Sequence, residues 1–435
     1  MSSHIQKMRI EGVYEQRQPD TYMLRAKVPG GVLSAEQALK VCEIAKRFAG
    51  GGIHLTSRAS IEFHWLKVED LAEVMRMLAA VGLTTRGACG GAVRGVVCST
   101  PFADDFPTAQ VLARKLHHHF THNPHFENLP KKFKIGVEAG YDGSRHLIQD
   151  VGLVYAGNDG EGACYDVWVA GGLGREPQPA FPLERRVPEG RIVPLIEGII
   201  RIYRRHTPAG KRLKHLLREI GSAEFIRRLE EEGDRDALLP LPDGFDKRLT
   251  PLVGSGRPER IEAHLFAGEL EAGRLRRLCN IAAQFAGGFM VLTCDQNVAF
   301  LLDERVDIGK AEAALAAAGF DGTERATRVN FRVCPGSHEC KMGLGPTRDV
   351  GRSVIEALGT QGEALTWAIS GCPNSCSQPQ LAQAGIIVSK TVGEPGGERT
   401  PRFDLYRREG GEAFATAVHQ GLTIDELLQT VAKIG

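Results

Sequence analysis

Residues 42–51 read CEIAKRFAGG, and residues 279–288 read CNIAAQFAGG. The offset is 279 − 42 = 237, and the agreement continues at it. IHLTSRASIEF (53–63) lies over MVLTCDQNVAF (290–300). Further along, VVCSTP (96–101) falls near RVCPGS (332–337), one residue out of step. That spacing is far too long for a solenoid repeat. The competing reading is a chance recurrence of a helix–Gly–Gly–strand idiom. A Cys, an Ile-Ala and a Phe-Ala-Gly-Gly agreeing in register favour two similar halves.

Each copy opens with an amphipathic helix. SAEQALKVCEIAKRFA (34–49) has Ser34 as N-cap and Gln37 three positions on, a capping-box pattern. Ala38, Leu39, Cys42, Ala45 and Phe48 recur at helical spacing, and Gly50-Gly51-Gly52 ends the run. IHLTSRASIEFHWL then reads as extended chain, and a second helix is expected over 69–80. Alternating strands and helices with hairpins indicate an α+β fold of ferredoxin-like units. The Pro- and Gly-rich stretch 174–190 reads as a loop, 391–403 as a surface hairpin or loop, and 238–260 as the linker between halves.

Bulk properties exclude several classes. The 435 residues suffice for about three domains. Lys+Arg (54) and Asp+Glu (53) nearly cancel, which argues against nucleic-acid or membrane-surface partners. No run of about 18 apolar residues is present, so no spanning helix is expected. MSSHIQKMRIEGVYEQRQ lacks an apolar core, so no signal peptide is expected. Ten cysteines in a chain of this length fit a cytoplasmic protein with metal-ligand or core thiols.

Four cysteines stand out. Cys334 and Cys340 form a Cys-x5-Cys, and Cys372 and Cys376 a Cys-x3-Cys in SGCPNSCS (370–377). Four thiolates from two loops can hold a cubane cluster, one Cys per iron. Zinc is the competing metal, although the spacing is loose for a zinc ribbon. Structural thiols are the third reading. Cys42, Cys89, Cys98, Cys164, Cys279 and Cys294 are scattered and read as small core residues.

Cys-x5-Cys, then GCPNSC, then QLAQAGIIV (380–388) resembles the signature of the sirohaem-containing nitrite and sulfite reductases. The resemblance spans nearly the whole chain, because that family is also internally duplicated. It is most like the sulfite reductase haemoprotein. It implies ferredoxin-like half-domains pairing into one pseudo-symmetric domain, with two α/β cofactor-binding lobes. The segments are then 1–80 and 250–322 for the half-repeats, 81–240 for a sirohaem-binding lobe and 323–435 for a cluster- and sirohaem-binding lobe. It implies sirohaem and a [4Fe–4S] cluster as cofactors. Cys334, Cys340, Cys372 and Cys376 hold the cluster, Cys376 bridges to the sirohaem iron, and Asn374 lies against the macrocycle.

The same resemblance selects four cations. Taken singly, Arg25, Arg94, Lys132 and Lys134 read as solvated surface charges. In the family, two Arg and two Lys in these contexts grip the substrate oxyanion. Arg25 is placed on a strand, Arg94 at a strand start, and Lys132 and Lys134 on one face of a strand. Each such charge about 4 Å from an anion contributes roughly 4 kcal/mol at an effective dielectric near 20. Thr56, Arg58 and Lys131 match contacts to the sirohaem carboxylates. Two departures occur: His54 stands where Arg is common, and Glu62 where Gln is common. Glu62 beside a polyanion is unfavourable unless protonated or turned away. In the second copy Asp295 replaces Arg58, so only the first copy is expected to bind sirohaem there.

VAGGLG (169–174) is a Gly-rich loop that could approach the cofactor. Five histidines in 115–126 read as a polar helix end rather than a metal site. The basic stretch 201–232 reads as a helical region whose cations bind cofactor, an acidic donor or solvent.

The implied activity is six-electron reduction of sulfite to sulfide, with nitrite to ammonia as the alternative. Lys134 favours sulfite, because many nitrite reductases of the family carry Asn there. No Rossmann-type nucleotide motif is evident, so electrons come from an external ferredoxin or flavoprotein. Precorrin-3B synthase shares the cluster motif without sirohaem, and the four cations argue against it. A non-catalytic iron–sulfur electron-transfer protein is the rival from another class.

Overall fold

This computed structural model describes residues 8–160, 162–233, 259–393, 397 and 399–434. The expected linker at 238–260 lies, up to residue 258, outside them. In chain order the first half begins with β1 (Val13–Glu15), β2 (Tyr22–Ala26), β3 (Val32–Ser34), α1 (Ala35–Phe48), β4 (Gly52–Leu55), β5 (Ile61–Leu66) and α2 (Leu71–Ala79). A first lobe follows with β6 (Val97–Cys98), α3 (Phe106–Phe120), β7 (Ile135–Glu138), β8 (Val151–Asp159), β9 (Gly162–Val169), β10 (Phe181–Pro188), α4 (Glu189–His206) and α5 (Leu213–Glu232). The second half has β11 (Glu259–Ala263), β12 (Glu269–Glu271), α6 (Ala272–Phe285), β13 (Phe289–Leu292), β14 (Val298–Leu302) and α7 (Ile308–Ala317). A second lobe has β15 (Phe331–Val333), α8 (Thr347–Ala357), β16 (Trp367–Ser370), β17 (Ala384–Gly393), β18 (Arg399–Arg407), β19 (Thr416–Leu422) and α9 (Ile424–Val431).

The capping box forms as the sequence predicts. Ser34 Oγ accepts the Gln37 amide at 3.1 Å, and Gln37 Oε1 accepts the Ser34 amide at 3.0 Å. Such a cap is worth about 1 kcal/mol to α1. α1 and α6 then pack together beneath one shared core, where Val41, Ile44 and Phe63 meet Leu275, Leu278 and Phe300. Cys42 and Cys279, equivalent in the repeat, hydrogen-bond across this seam, so the internal two-fold relation passes between them.

The halves exchange strands. β12 of the second half pairs with β4 of the first through Glu269↔His54, Leu270↔Ile53 and Glu271↔Gly52. β3 of the first half pairs with β13 of the second through Val32↔Val291, Leu33↔Met290 and Ser34↔Phe289. Shifting one set by the repeat offset gives the other, pair for pair. Gly31 (φ +81) and Gly268 (φ +67) occupy equivalent left-handed positions, and a Cβ there would lie 2.7 Å from Leu292 O or 2.4 Å from Leu55 O. Only glycine meets both demands.

The lobes share a topology too. The sheets run β10-β9-β8-β7-β6 and β15-β16-β17-β18-β19. In each, the first three strands in sequence are parallel and the last two join antiparallel. The fold is therefore α+β and internally duplicated. β17 and β18 form the hairpin expected around 391–403. The stretch 174–190 departs from the expected loop: its second half is β10, paired with β9. β10 is an edge strand, which is where Pro182 and Pro188 cost no ladder bond. Among the described residues no helix is long and apolar enough to cross a membrane.

Candidate active site

β15 and β16 run parallel, Val333 opposite Ile369, so their C-terminal ends lie side by side. Cys334 follows the first strand, and Cys372 and Cys376 follow the second. The two loops are locked by three glycines. A Cβ on Gly343 would lie 2.2 Å from the Gly336 carbonyl carbon, and one on Gly371 would lie 2.7 Å from Gly336 Cα. This contact turns amides toward sulfur. Gly371 N–H donates to Cys334 Sγ at 3.1 Å. The amides of Gly336, of Met342 and Gly343, and of Asn374 face the sulfurs of Cys334, Cys340 and Cys372 respectively.

Burial pushes the Cys372 thiol up to about 11, and raises Cys334 and Cys340 as well. A cationic centre among them is what would hold these sulfurs as thiolates. Among the described residues only His54, Glu62 and His64 bring three potential ligand atoms within 4.8 Å of one another. No three of the four thiols come that close to one another. A tetrahedral zinc, with Zn–S bonds of about 2.3 Å, would hold its sulfurs only about 3.8 Å apart. The wider cage suits a cubane with one Cys per iron. The other six cysteines are buried and unpaired, as expected of core residues.

The first half meets this lobe at Cys376. Ser57 Oγ donates to the Cys376 carbonyl oxygen at 2.7 Å, and Gln378 Nε2 donates to Ser57 O at 2.9 Å. Ser57 sits in the turn between β4 and β5. Thr56 Oγ1 shapes that turn by accepting the amides of Arg58 at 3.2 Å and Ser60 at 3.1 Å. The Arg58 guanidinium donates to Gln149 Oε1 at 2.8 Å and to the carbonyl of Gly95 at 3.0 Å. It has no carboxylate in ion-pair contact among the described residues, and burial lowers its pKa to about 10. Its counterpart Asp295 is committed elsewhere, paired with Arg145 at 2.7 Å and Arg332 at 2.8 Å.

Three more cations face the same region. Lys132 and Lys134 flank fully buried Phe133 and share a face, but they do not lie on a strand. They sit in the extended approach to β7, where Phe133 bridges Val93. Arg94 likewise follows that bridge and precedes β6, rather than starting a strand. Its Nη2 donates to Gly90 O at 2.9 Å, while Nη1 is buried without a hydrogen-bond partner. Neither lysine ammonium is ion-paired among the described residues. Burial, then the nearby Arg212 charge, lowers Lys132 to about 8. Burial, then Arg58, depresses Lys134 well below its ordinary value. Lys131 is exposed beside them, and Asn374 is exposed beside Cys372.

Arg212 belongs to this cluster, and sequence reading missed its part. It pairs with buried Asp150 at 2.7 Å. A Cβ on Gly172 would lie 2.3 Å from its Nη1. Lys214 donates to the carbonyls of Gly172 and Leu173 at 3.3 and 3.2 Å. The Gly-rich loop 169–174 thus receives two cations of the 201–232 stretch. The visible signal was only a Gly-Gly pair and a basic run, too common to connect. In the histidine-rich segment, His119 is buried and pairs with Glu197 at 2.7 Å, so its end of α3 is partly core.

Arg25 on β2 faces Glu62 on β5 in register. Arg25 Nε donates to Glu62 Oε1 at 3.0 Å, and Nη2 donates to the same oxygen. Oε2 faces His54 Nδ1 at 3.0 Å and His64 Nε2 at 3.4 Å. Burial alone would raise the Glu62 carboxyl. Arg25, with the two imidazoles, overrides it and holds the group well below the usual carboxylate range. Glu62 is thus held as a carboxylate by Arg25 and the two imidazoles.

Two family models match these elements: the nitrite/sulfite reductase ferredoxin-like half domain at 14–81 and 261–318, and the nitrite and sulphite reductase 4Fe-4S domain at 90–236. Together they cover well over half of the chain. The chain belongs to the nitrite and sulphite reductase family. It is therefore an enzyme of that family, whose members carry sirohaem and a [4Fe–4S] cluster. The thiol cage and the unpaired cations beside Cys376 fit these two groups. The cysteine loops lie in the second lobe, beyond the matched residues, on a sheet of the same order as the first.

A sulfite reductase [ferredoxin] of Mycobacterium tuberculosis is 28% identical over 387 residues, spanning 84% of this chain and 69% of the relative. A ferredoxin–nitrite reductase of Synechococcus elongatus is 27% identical over 401 residues, spanning 86% and 77%. The structure of Mycobacterium tuberculosis NirA protein superposes with a TM-score of 0.84 at 23% identity, covering all of this chain and 87% of that one. This last likeness bears on the fold.

Proposed function

We propose that this member of the family reduces sulfite to sulfide. The observation that carries the reading is the set of cations without counter-ions, Arg94, Lys132 and Lys134, gathered around the region of Cys376. A half-buried cation without an anion is costly, and a small oxyanion relieves it. Charge-assisted hydrogen bonds from these groups and Arg25 then polarise the S–O bonds.

The balance is HSO₃⁻ with six electrons and six protons giving HS⁻ and three waters. When bound, the sirohaem and the cluster supply the electron chemistry. Cys334, Cys340, Cys372 and Cys376 would hold the cluster in this reading, and Cys376 would serve the sirohaem as well. Thr56, Arg58, Lys131 and Asn374 hold the macrocycle. Lys132, lowered to about 8, gives up a proton readily near neutral pH, as departing oxygen requires. Lys134 favours sulfite over nitrite, because a second ammonium adds charge where an amide would not.

The segments 1–80, 81–240, 250–322 and 323–435 are the domain division of this reading. The donor is an external protein, a ferredoxin or a flavoprotein. The ten free cysteines support a reducing, cytoplasmic compartment. Nitrite is the second reading, favoured by the likeness to a ferredoxin–nitrite reductase. The test is steady-state reduction of both anions by anaerobically purified enzyme with a low-potential dye. A higher kcat/KM for sulfite supports the proposal, and a much higher value for nitrite overturns it.

A further inference from the structure

Of the four cations assigned to the anion pocket, Arg25 alone has a carboxylate in ion-pair contact among the described residues. That carboxylate, Glu62, is 5% exposed and is anchored on both oxygens. Among the described residues Arg94 bonds only a carbonyl, and Lys132 and Lys134 have no anionic neighbour within ion-pair distance. The pocket thus presents, among the described residues, three basic side chains without a carboxylate partner, rather than four.

His54 lies against the other oxygen of the Glu62 carboxylate. Its Nε2 faces Gln296 Nε2 at 3.1 Å. The amide of Gln296 is oriented by its backbone partners: Oε1 accepts Val333 N–H at 2.7 Å, and Nε2 donates to Leu55 O at 2.8 Å and Val333 O at 3.0 Å. His54 Nδ1 faces Glu62 Oε2 at 3.0 Å. His64 completes the surround of Glu62 from β5, and Cys340 of the second lobe lies at longer range. The same triad brings three ligand atoms together, yet Arg25 already holds its carboxylate, and a divalent cation would have to sit against that guanidinium. The cluster is better suited to fixing a negative charge than to binding a metal.

We infer that Glu62 is a specificity-determining residue: by cancelling the charge of Arg25 and holding its guanidinium in place, it tunes the pocket toward singly charged oxyanions, bisulfite and nitrite, over doubly charged ones. This rests on the reading that the pocket takes the substrate anion. A dianion loses twice what a monoanion loses for each positive charge removed, so the discrimination is one charge–charge interaction across the pocket. At an effective dielectric near 20 that corresponds to about tenfold for a carboxylate about 12 Å from the anion, and to more at shorter range.

The test is spectroscopic. Wild type, Glu62→Gln and Glu62→Asp, each purified with cofactors, are titrated with nitrite and with sulfite in mildly alkaline buffer, where sulfite is a dianion. Binding is read from the visible haem spectrum, without turnover. Glu62→Gln is expected to shift the ratio of the two Kd values about tenfold toward sulfite, and Glu62→Asp, which keeps the charge, to retain the wild-type ratio. Equal changes for both anions in Glu62→Gln overturn the inference. So does loss of haem uptake in Glu62→Gln but not in Glu62→Asp, which would assign Glu62 to cofactor retention. Wild type binding neither anion would instead overturn the reading of the pocket itself, and this inference with it.

Discussion

Ser57 Oγ donates to the carbonyl oxygen of Cys376 across 2.7 Å, joining positions 319 residues apart. It pins the loop of the proposed bridging cysteine to the turn that carries Thr56 and Arg58. Ser57→Ala is expected to cost about 1 kcal/mol, lowering Tm by about 1 °C while leaving iron content unchanged. Thermal unfolding of the loaded enzyme and an iron assay check both parts.

The three interlocked glycines make a sharper prediction. Gly371→Ala puts a methyl 2.7 Å from Gly336 Cα, against backbone that cannot retreat without opening the cysteine cage. Iron and acid-labile sulfide per chain are expected to fall by more than half. Gly190→Ala, with nothing within 4 Å of the added carbon, is the control and is expected to keep full cluster content.

Lys134→Asn removes one uncompensated ammonium and leaves a hydrogen-bonding side chain. It is expected to lower kcat/KM for sulfite about tenfold more than for nitrite. Parallel assays with both anions check this, and an equal loss for both would remove Lys134 as the discriminating residue.

Glu262 on β11 offers a pH prediction away from the cofactors. Burial, together with Asp295 and against hydrogen bonds from Asn297 and Thr293, raises its carboxyl to about 7. The unfolded group titrates near 4.3. Between these values the folded chain binds the extra proton, so stability falls as pH rises from about 4.5 to 7 and stays lowered above that. Glu262→Gln removes this slope. Its advantage over wild type is expected to grow from near zero at pH 4.5 to about 1–3 kcal/mol above pH 7. Denaturant unfolding at a series of pH values measures it.

Much of this was legible because it is local. The Ser34–Gln37 cap, the helix stopped by Gly50, and the Cys-x5-Cys and Cys-x3-Cys spacings depend on neighbours a few residues away. The duplication was legible because it repeats in register. What was not legible depends on approach in space. The Arg25–Glu62 pair needs the register of β2 against β5 before its partners are known. Arg212 acquires its place from close contact with Gly172, which no spacing announces. Lys132 and Lys134 kept their shared face without a strand, because a single bridge at Phe133 extends the backbone there. The stretch 174–190 misled because prolines mark loops and edge strands alike.

The exchanged strands have a historical consequence. Each half completes the sheet of the other through the same three pairs, so neither copy closes its own edge. One copy alone could meet that need by pairing with a twin, so the present chain has the arrangement of a homodimer joined into one polypeptide. Fusion removed the requirement that both copies be alike. One equivalent position then kept Arg58, uncompensated beside the cofactor region, while the other became Asp295 and clamps two buried arginines. Division of labour between catalysis and scaffolding was available to this protein only after its two partners could mutate independently.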